Sequence, residues 1–157
     1  MPAQGFLLSI AGLSVSLAGF SGLVAAFRRG GEWKPIDSYR LRQIPEMGLP
    51  TAVLTLAAIP LFDSTGSAST TLRAVAALAV AYTVFHIFAL IFRARRMGLN
   101  VSSANFWAAG IIDVGALAAG AVAIAAGTAA TFEWLLVLLV ARPAVAFVLV
   151  LSDVPRS

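Results

Sequence analysis

Three ionisable side chains lie inside apolar runs of the sequence: Asp113 in "AAGIIDVGALAAG", His86 in "TVFHIFA" and Arg142 in "LVLLVARPAVAFVLVL". A charge at bilayer depth costs about 2.5–3.5 kcal/mol on insertion scales and more by other estimates. Residues of this kind therefore usually face the interior of a helix bundle and pair with one another. An aspartate and an arginine can form an ion pair, while histidine can exchange a proton near neutral pH.

These residues fall at similar depths when the apolar runs are drawn as helices. At a rise of about 1.5 Å per residue, Asp113 lies about 10 Å and Arg142 about 13 Å from one end of its run. Tyr82 lies one turn from His86 on the same helix face. Because only the segment "GTAATFE" joins the fourth and fifth runs, these two are antiparallel neighbours and Arg142 is expected to reach Asp113. The sequence thus predicts a buried polar layer formed by these four residues.

Pro143 follows Arg142 directly and gives the guanidinium a second potential partner. Proline removes its own N–H from the helix and leaves a carbonyl one turn back without a donor. Two interpretations of the polar layer remain open. It is a structural clamp between helices, with His86 as a hydrogen-bonded core residue, or it is a site for an ion, a proton or an anion.

The composition places these residues in a membrane protein. The chain has 157 residues, of which 60% are hydrophobic and 11% charged, against about 25% charged in soluble domains. With no cysteine and one histidine, neither a zinc nor a haem site is expected within one chain, and no metal or cofactor is predicted. Arginine supplies all but one of the 11 basic residues and alanine is abundant, which suggests a protein of the bacterial inner (plasma) membrane.

We predict an all-α integral membrane protein, a single bundle of five transmembrane helices without a soluble domain. Crossing a bilayer core takes about 20 apolar residues. Five apolar runs come near this length, although the second is short and contains two prolines. The predicted spans are 6–27, 48–62, 74–92, 106–126 and 134–151.

The basic residues orient these spans. The clusters "RR" at 28–29 and "RARR" at 93–96 fall on the cytoplasmic side, as the positive-inside rule requires, if the N-terminus is outside and the C-terminus inside. Arg73 is then the only arginine in an outer loop. The net charge of +4 is explained by topology, and nucleic acid is not an expected partner.

The segment 28–48 is the longest polar stretch between two predicted spans. It is read as an interfacial linker. The alternative is a short helical turn through Ile36, Tyr39 and Leu41 that lies among the lipid headgroups, with its basic residues toward anionic lipid.

A stripe of small residues runs along the first span: Gly5, Ser9, Gly12, Ser16 and Gly19. Their spacing of four and three keeps them on one helix face and matches the repeat of a left-handed helix pair. In lipid, small residues let two helix backbones approach closely, which favours association. This small-residue stripe is therefore expected to pack against a helix of the same chain or of a second copy, or to line an aqueous path with its hydroxyls.

The segment "GFSG" at 19–22 resembles the GxSG nucleophile motif of the rhomboid proteases. The resemblance is confined to that motif and implies an intramembrane serine hydrolase with Ser21 as nucleophile, His86 as base and Asp113 as its orienting partner. The sequence departs from the family in two respects. Rhomboids carry the serine late in a six-span core, and their histidine lies in a glycine-flanked motif.

Three functions follow from these patterns. The first is a homo-oligomeric ion channel or transporter that uses the polar layer, in several copies because five short spans leave little room for a pore within one chain. The second is a non-catalytic subunit or assembly factor of a larger membrane complex, with the small-residue stripe as its docking face toward a partner subunit. The third is the hydrolase. All three place the chain in a lipid bilayer.

Overall fold

The structure, a computed structural model, describes residues 4–27, 35–98 and 104–152. Within these ranges every element is helical. Each of the helices contains a stretch long and apolar enough to cross a bilayer, as the sequence predicted, so the chain has the make-up of a multi-pass membrane protein. They are α1 (Gln4–Phe27), α2 (Pro35–Thr65), α3 (Ala68–Arg96), α4 (Ala104–Ala126) and α5 (Ala129–Ser152).

Two tight turns produce antiparallel helix pairs, α2 with α3 and α4 with α5. Gly66 and Gly127 end α2 and α4 with φ angles of 63° and 64°, a left-handed conformation that glycine adopts without steric cost. The Gly127 turn is also tied to α3, because Nη2 of Arg73 donates to the Ala125 carbonyl over 3.0 Å. That contact satisfies one of the free carbonyls at the end of α4.

The central helices of the bundle are α2 and α5, which pack against each other. α1 lies on one side and contacts both of them, while α3 and α4 form the other side. Within the described ranges α1 contacts neither α3 nor α4. Functional groups that share a site must therefore come from α2 and α5 together with one of the two flanks.

The two ends of the bundle differ in chemistry. At the turn end, named for the turns at Gly66 and Gly127, an apolar cluster fills the interior. The other end, where α1, α3 and α5 finish and α2 and α4 begin, is called the basic end. The apolar cluster consists of Leu7, Ile10, Ala58, Leu72, Val75, Ala76, Ala79, Ala116, Ala123, Phe132, Leu135, Leu136, Leu139 and Val140. The described arginines at the basic end are Arg40, Arg42, Arg93, Arg95 and Arg96.

α2 is much longer than the predicted span 48–62. It has 31 residues and contains Pro45, Pro50 and Pro60, so it is about 46 Å long at about 1.5 Å per residue. A proline inside a membrane helix is tolerated when another group satisfies the carbonyl that it frees. The Tyr82 hydroxyl does this for Pro50, since it donates to the Glu46 carbonyl one turn back.

The interfacial interpretation of segment 28–48 is therefore wrong for its second half. Tyr39 and Leu41 are buried inside the bundle, and α2 already begins at Pro35. Residues 28–34 lie outside the described ranges. The physical reason for the error is that polar residues near the start of α2 are accommodated inside the bundle: Arg40 and Gln43 are buried, and Glu46 pairs with Arg93 of α3.

Candidate functional site

Asp113 of α4 and Arg142 of α5 form a buried ion pair. Nε of Arg142 donates to Oδ1 of Asp113 over 3.2 Å and to Oδ2 over 3.4 Å. The Arg142 side chain is 7% exposed and the Asp113 side chain is 10% exposed. The tight turn between α4 and α5 makes them neighbours, which is why two residues 29 positions apart meet.

The guanidinium of Arg142 is only partly used by this pair. Within the part of the chain that the structure describes, both of its hydrogen bonds come from Nε. The carbonyl of Leu139, which Pro143 leaves without its usual donor, receives no hydrogen bond from Arg142 among these residues. The terminal Nη groups therefore keep N–H donors for other partners.

A cavity of about 290 Å³ lies beside the ion pair, and we call it the α3–α4 cavity. It extends from Arg95 near the basic end to Asp113 and Arg142. The Tyr39 hydroxyl lies at its wall and donates to the Leu90 carbonyl over 3.3 Å. Its lining consists of Tyr39, Ile87, Leu90, Ile91, Arg95, Trp107, Ala109, Gly110, Asp113 and Arg142.

A much smaller cavity, about 20 Å³, adjoins the first between α2, α4 and α5. Its polar wall consists of Tyr39, Arg40, Gln43 and Arg142, all of them buried. A space of this size holds about one water molecule, and four polar side chains offer enough partners to hold one there. Arg142 thus lines both cavities.

His86 and Tyr82 form a second cluster on α3. Their rings stack with centroids 5.7 Å apart, and the Glu46 carboxylate nearby accepts from Arg93 over 2.7 Å and from Arg42 over 2.6 Å. Nε2 of His86 is buried without a hydrogen-bond partner in the described chain. In those same residues no hydrogen bond links this cluster to the Asp113–Arg142 pair.

No family model matches this sequence. No curated protein and no solved structure matches it either. Within the described ranges no three His, Asp or Glu side chains come together as metal ligands. The assignment of a function therefore depends on the chemistry of the chain's own residues.

Ser21 does not meet the other residues of the predicted hydrolase triad. It is buried on α1, where its hydroxyl donates to the Ala18 carbonyl over 2.7 Å. His86 lies on α3 and Asp113 on α4, and the described part of α1 contacts neither helix. The arrangement therefore lacks the nucleophile–base hydrogen bond that serine hydrolysis requires.

The small-residue stripe faces outward. All five of its residues, Gly5, Ser9, Gly12, Ser16 and Gly19, are exposed, and nothing lies within 4 Å of a Cβ placed at any of the three glycines. The hydroxyls of Ser9 and Ser16 donate to carbonyls one turn back. α1 packs onto α2 with its other face. Among the described helices, the stripe therefore does not pack against a helix of the same chain, which was one of the predicted alternatives.

Sequence reasoning missed the contribution of α2. Tyr39, Gln43, Met47, Thr51 and Thr55 are all buried and recur every fourth residue, which is the spacing of one helix face. This periodicity continues through the charged segment 40–46 and past Pro45 and Pro50. It is the feature of the sequence that could have indicated that the helix extends to the basic end. It brings Tyr39 and Gln43 to Arg142.

Proposed function

We propose that this chain is a small homo-oligomeric transporter or channel of a bacterial inner membrane, and that the Asp113–Arg142 pair lies at its permeation site. The observation that carries the proposal is the position of this pair. The two side chains are buried near the middle of α4 and α5, yet they line a cavity of about 290 Å³. A pair that served only as a clamp would gain nothing from an adjacent cavity.

The distribution of polar and apolar residues supports a controlled path. The two cavities beside the ion pair and the buried ionisable side chains occupy the half toward the basic end, while the apolar cluster fills the half toward the turn end. An ion could not cross that cluster without losing its hydration. Transport through one chain therefore requires a rearrangement of the turn-end half, or a path between copies.

The outward stripe on α1 supports the homo-oligomer. Small residues on a lipid-facing surface allow close backbone approach by another helix, and Gly5, Gly12 and Gly19 leave that space open. We propose that α1 helices of neighbouring copies meet along this stripe. In this pairing α1 would lie between the second copy and the helices α2 and α5 that α1 packs against.

The orientation also belongs to the proposal. Five described arginines lie at the basic end, and Arg73 lies at the turn end. The positive-inside rule then places the basic end in the cytoplasm, with the N-terminus outside. The α3–α4 cavity would face the inner leaflet and the cytoplasm.

The same stripe favours one second candidate, a non-catalytic subunit of a larger membrane complex. In that case a helix of a different protein would cover Gly12 and Ser16, and the Asp113–Arg142 pair would be a structural contact. The two candidates differ in one measurable property. The isolated chain transports a solute in the first and none in the second.

Reconstitution of the purified protein into liposomes tests the proposal. Flux of monovalent cations, anions and protons would be recorded for the wild type, Asp113→Asn and His86→Ala. Transport by the wild type that the Asp113 variant alters, with the fold intact, supports the proposal. Well-folded wild type that moves no solute under any of these gradients contradicts it and favours the accessory subunit.

A further inference from the structure

We infer that the α3–α4 cavity binds the anionic head group of an amphiphile, a carboxylate or a phosphate carried on an apolar chain, which enters between α3 and α4. The inference rests on the proposed function in that it names the substrate class of the same site. It concerns binding, however, and can be tested without any transport measurement.

The donors for such a head group come from Arg142. The described hydrogen bonds from this buried guanidinium to Asp113 come from Nε alone. The N–H groups of the two Nη atoms are therefore available to bind an anion. A planar guanidinium binds a carboxylate or phosphate oxygen through these N–H groups with charge-assisted hydrogen bonds. Because Arg142 is 6% exposed, an anion that reached it would be bound away from bulk water.

The charges that line the α3–α4 cavity favour an anion. Among the described residues they are Arg95, Arg142 and Asp113, and the carboxylate of Asp113 is already paired with Arg142. One positive charge is therefore in excess. Arg95, nearer the basic end, would attract a negative head group from the level of the lipid headgroups.

The walls of the cavity require that the rest of the ligand be apolar. Ile87, Leu90, Ile91 and Trp107 line it between the two arginines. Ile91 on α3 is 39% exposed and Trp107 on α4 is 68% exposed, so among the described residues the cavity opens sideways between these helices. A hydrated inorganic anion would find few hydrogen-bond partners along such walls.

The size of the cavity fixes how much of the ligand it encloses. A volume of about 290 Å³ lies at the lower limit for ligand pockets. It accommodates a head group with the first few carbons of a chain. The remainder would lie in the opening beside Ile91 and Trp107, in contact with lipid.

Fluorescence quenching can detect this ligand, because Trp107 lines the cavity. The variant Trp33→Phe/Trp134→Phe reports on Trp107, and the variant Trp33→Phe/Trp107→Phe reports on Trp134 at the turn end. The probe is a brominated fatty-acid anion added to the purified full-length protein in detergent micelles. Its brominated methyl ester, which partitions similarly but has no charge, is the matched control.

We expect the anion to quench Trp107 saturably and Trp134 only in proportion to its concentration in the micelle. The half-saturating concentration should be at least about tenfold lower for the acid than for the ester, the discrimination expected of one charge-assisted hydrogen bond. Equal quenching by acid and ester, or equal quenching of the two tryptophans, would overturn the inference.

Two substitutions separate the role of charge in the cavity from general charge at the basic end. Arg95→Gln should raise the half-saturating concentration about threefold, as for a partly exposed charge. Arg96→Gln should leave it unchanged, because Arg96 lies over the Phe92 ring instead.

Asp113→Asn/Arg142→Gln, which removes both charges of the buried pair, should raise the half-saturating concentration at least about tenfold. Equal effects of the Arg95 and Arg96 variants would contradict the assignment.

The source of the anion is settled by two further arms. Brominated phosphatidylglycerol that quenches Trp107 more than brominated phosphatidylcholine identifies a resident anionic lipid, whereas quenching by the free fatty acid alone identifies a single-chain anion. Competition by inorganic phosphate but not by an unbrominated fatty acid would contradict the inference that the ligand is an amphiphile. Binding without flux would contradict the transport function and leave this inference standing, and flux without binding would do the reverse.

Discussion

Arg142 is stable inside an apolar helix because Asp113 supplies a counter-charge at the same depth. The pair costs desolvation energy for both ions, which their mutual attraction offsets only when the geometry is good. The adjoining polar side chains Tyr39 and Gln43 add to a local environment in which a guanidinium can be buried. This residue-scale balance makes the pair sensitive to the loss of one partner.

Removal of one partner should destabilise the protein more than removal of both. Asp113→Asn leaves a buried positive charge without its counter-ion, at a cost of about 3–5 kcal/mol in the free energy of unfolding. Asp113→Asn/Arg142→Gln should recover at least half of that loss, because no unpaired charge remains. Unfolding in detergent, followed by circular dichroism, measures both variants, and a double variant less stable than the single one would contradict the pairing.

Tyr82 should stabilise α2 only as long as Pro50 leaves the Glu46 carbonyl free. Tyr82→Phe should cost about 1 kcal/mol, the usual scale of a hydrogen bond inside a membrane protein. In a Pro50→Ala background the cost should be smaller, since alanine has an N–H that can bond to the same carbonyl. A double-mutant cycle on unfolding free energies that gave no coupling would show that the two residues act independently.

At the scale of elements, α1 has two faces that the sequence pattern could not tell apart. Small residues occur on both. Gly48 of α2 approaches one face so closely that an added Cβ would lie 2.8 Å from the Ser14 carbonyl oxygen. The face that carries Gly12 has open space around it. Which face meets the rest of the chain is decided by packing against α2 and α5, information that a single helix does not contain.

Substitutions on the two sides of α1 should therefore have different effects. Gly48→Ala should lower the free energy of unfolding by about 1–3 kcal/mol, because overpacking against the Ser14 backbone forces the helices apart. Gly12→Leu should leave the fold of one chain intact and shift the oligomer toward smaller species, as read by light scattering coupled to size-exclusion chromatography. An unchanged oligomer in that variant would remove the stripe from the proposed interface.

For the whole molecule, the five helices were predictable because each contains a long apolar run, and the Asp113–Arg142 contact because a tight turn joins its two helices. The length of α2 was not predictable from the sequence in this way. Its first turns carry Arg40, Arg42 and Gln43, whose polar side chains are typical of a linker, and the burial of Arg40 and Gln43 is known only once the other helices are in place. That Nε2 of His86 has no hydrogen-bond partner among the described residues likewise depends on side-chain directions, which depth along a helix does not give.

The proposed topology can be tested with introduced cysteines, since the chain has none of its own. Ser64→Cys at the turn end should react with a membrane-impermeant maleimide added to intact cells. Met97→Cys at the basic end should react only after the membrane is opened. The reverse labelling pattern would place the basic end outside and contradict the orientation inferred from the arginines.

We have proposed that the Asp113–Arg142 pair lies on a transport path. The most direct test compares solute flux in liposomes for the wild type, for Asp113→Asn/Arg142→Gln, and for Glu46→Gln/Arg93→Gln as a control that neutralises another ion pair, away from the cavity. We expect the first double variant to fall to the flux of empty liposomes, while the control keeps the wild-type rate. Wild-type flux in the Asp113/Arg142 variant, or equal losses in both variants, would contradict it.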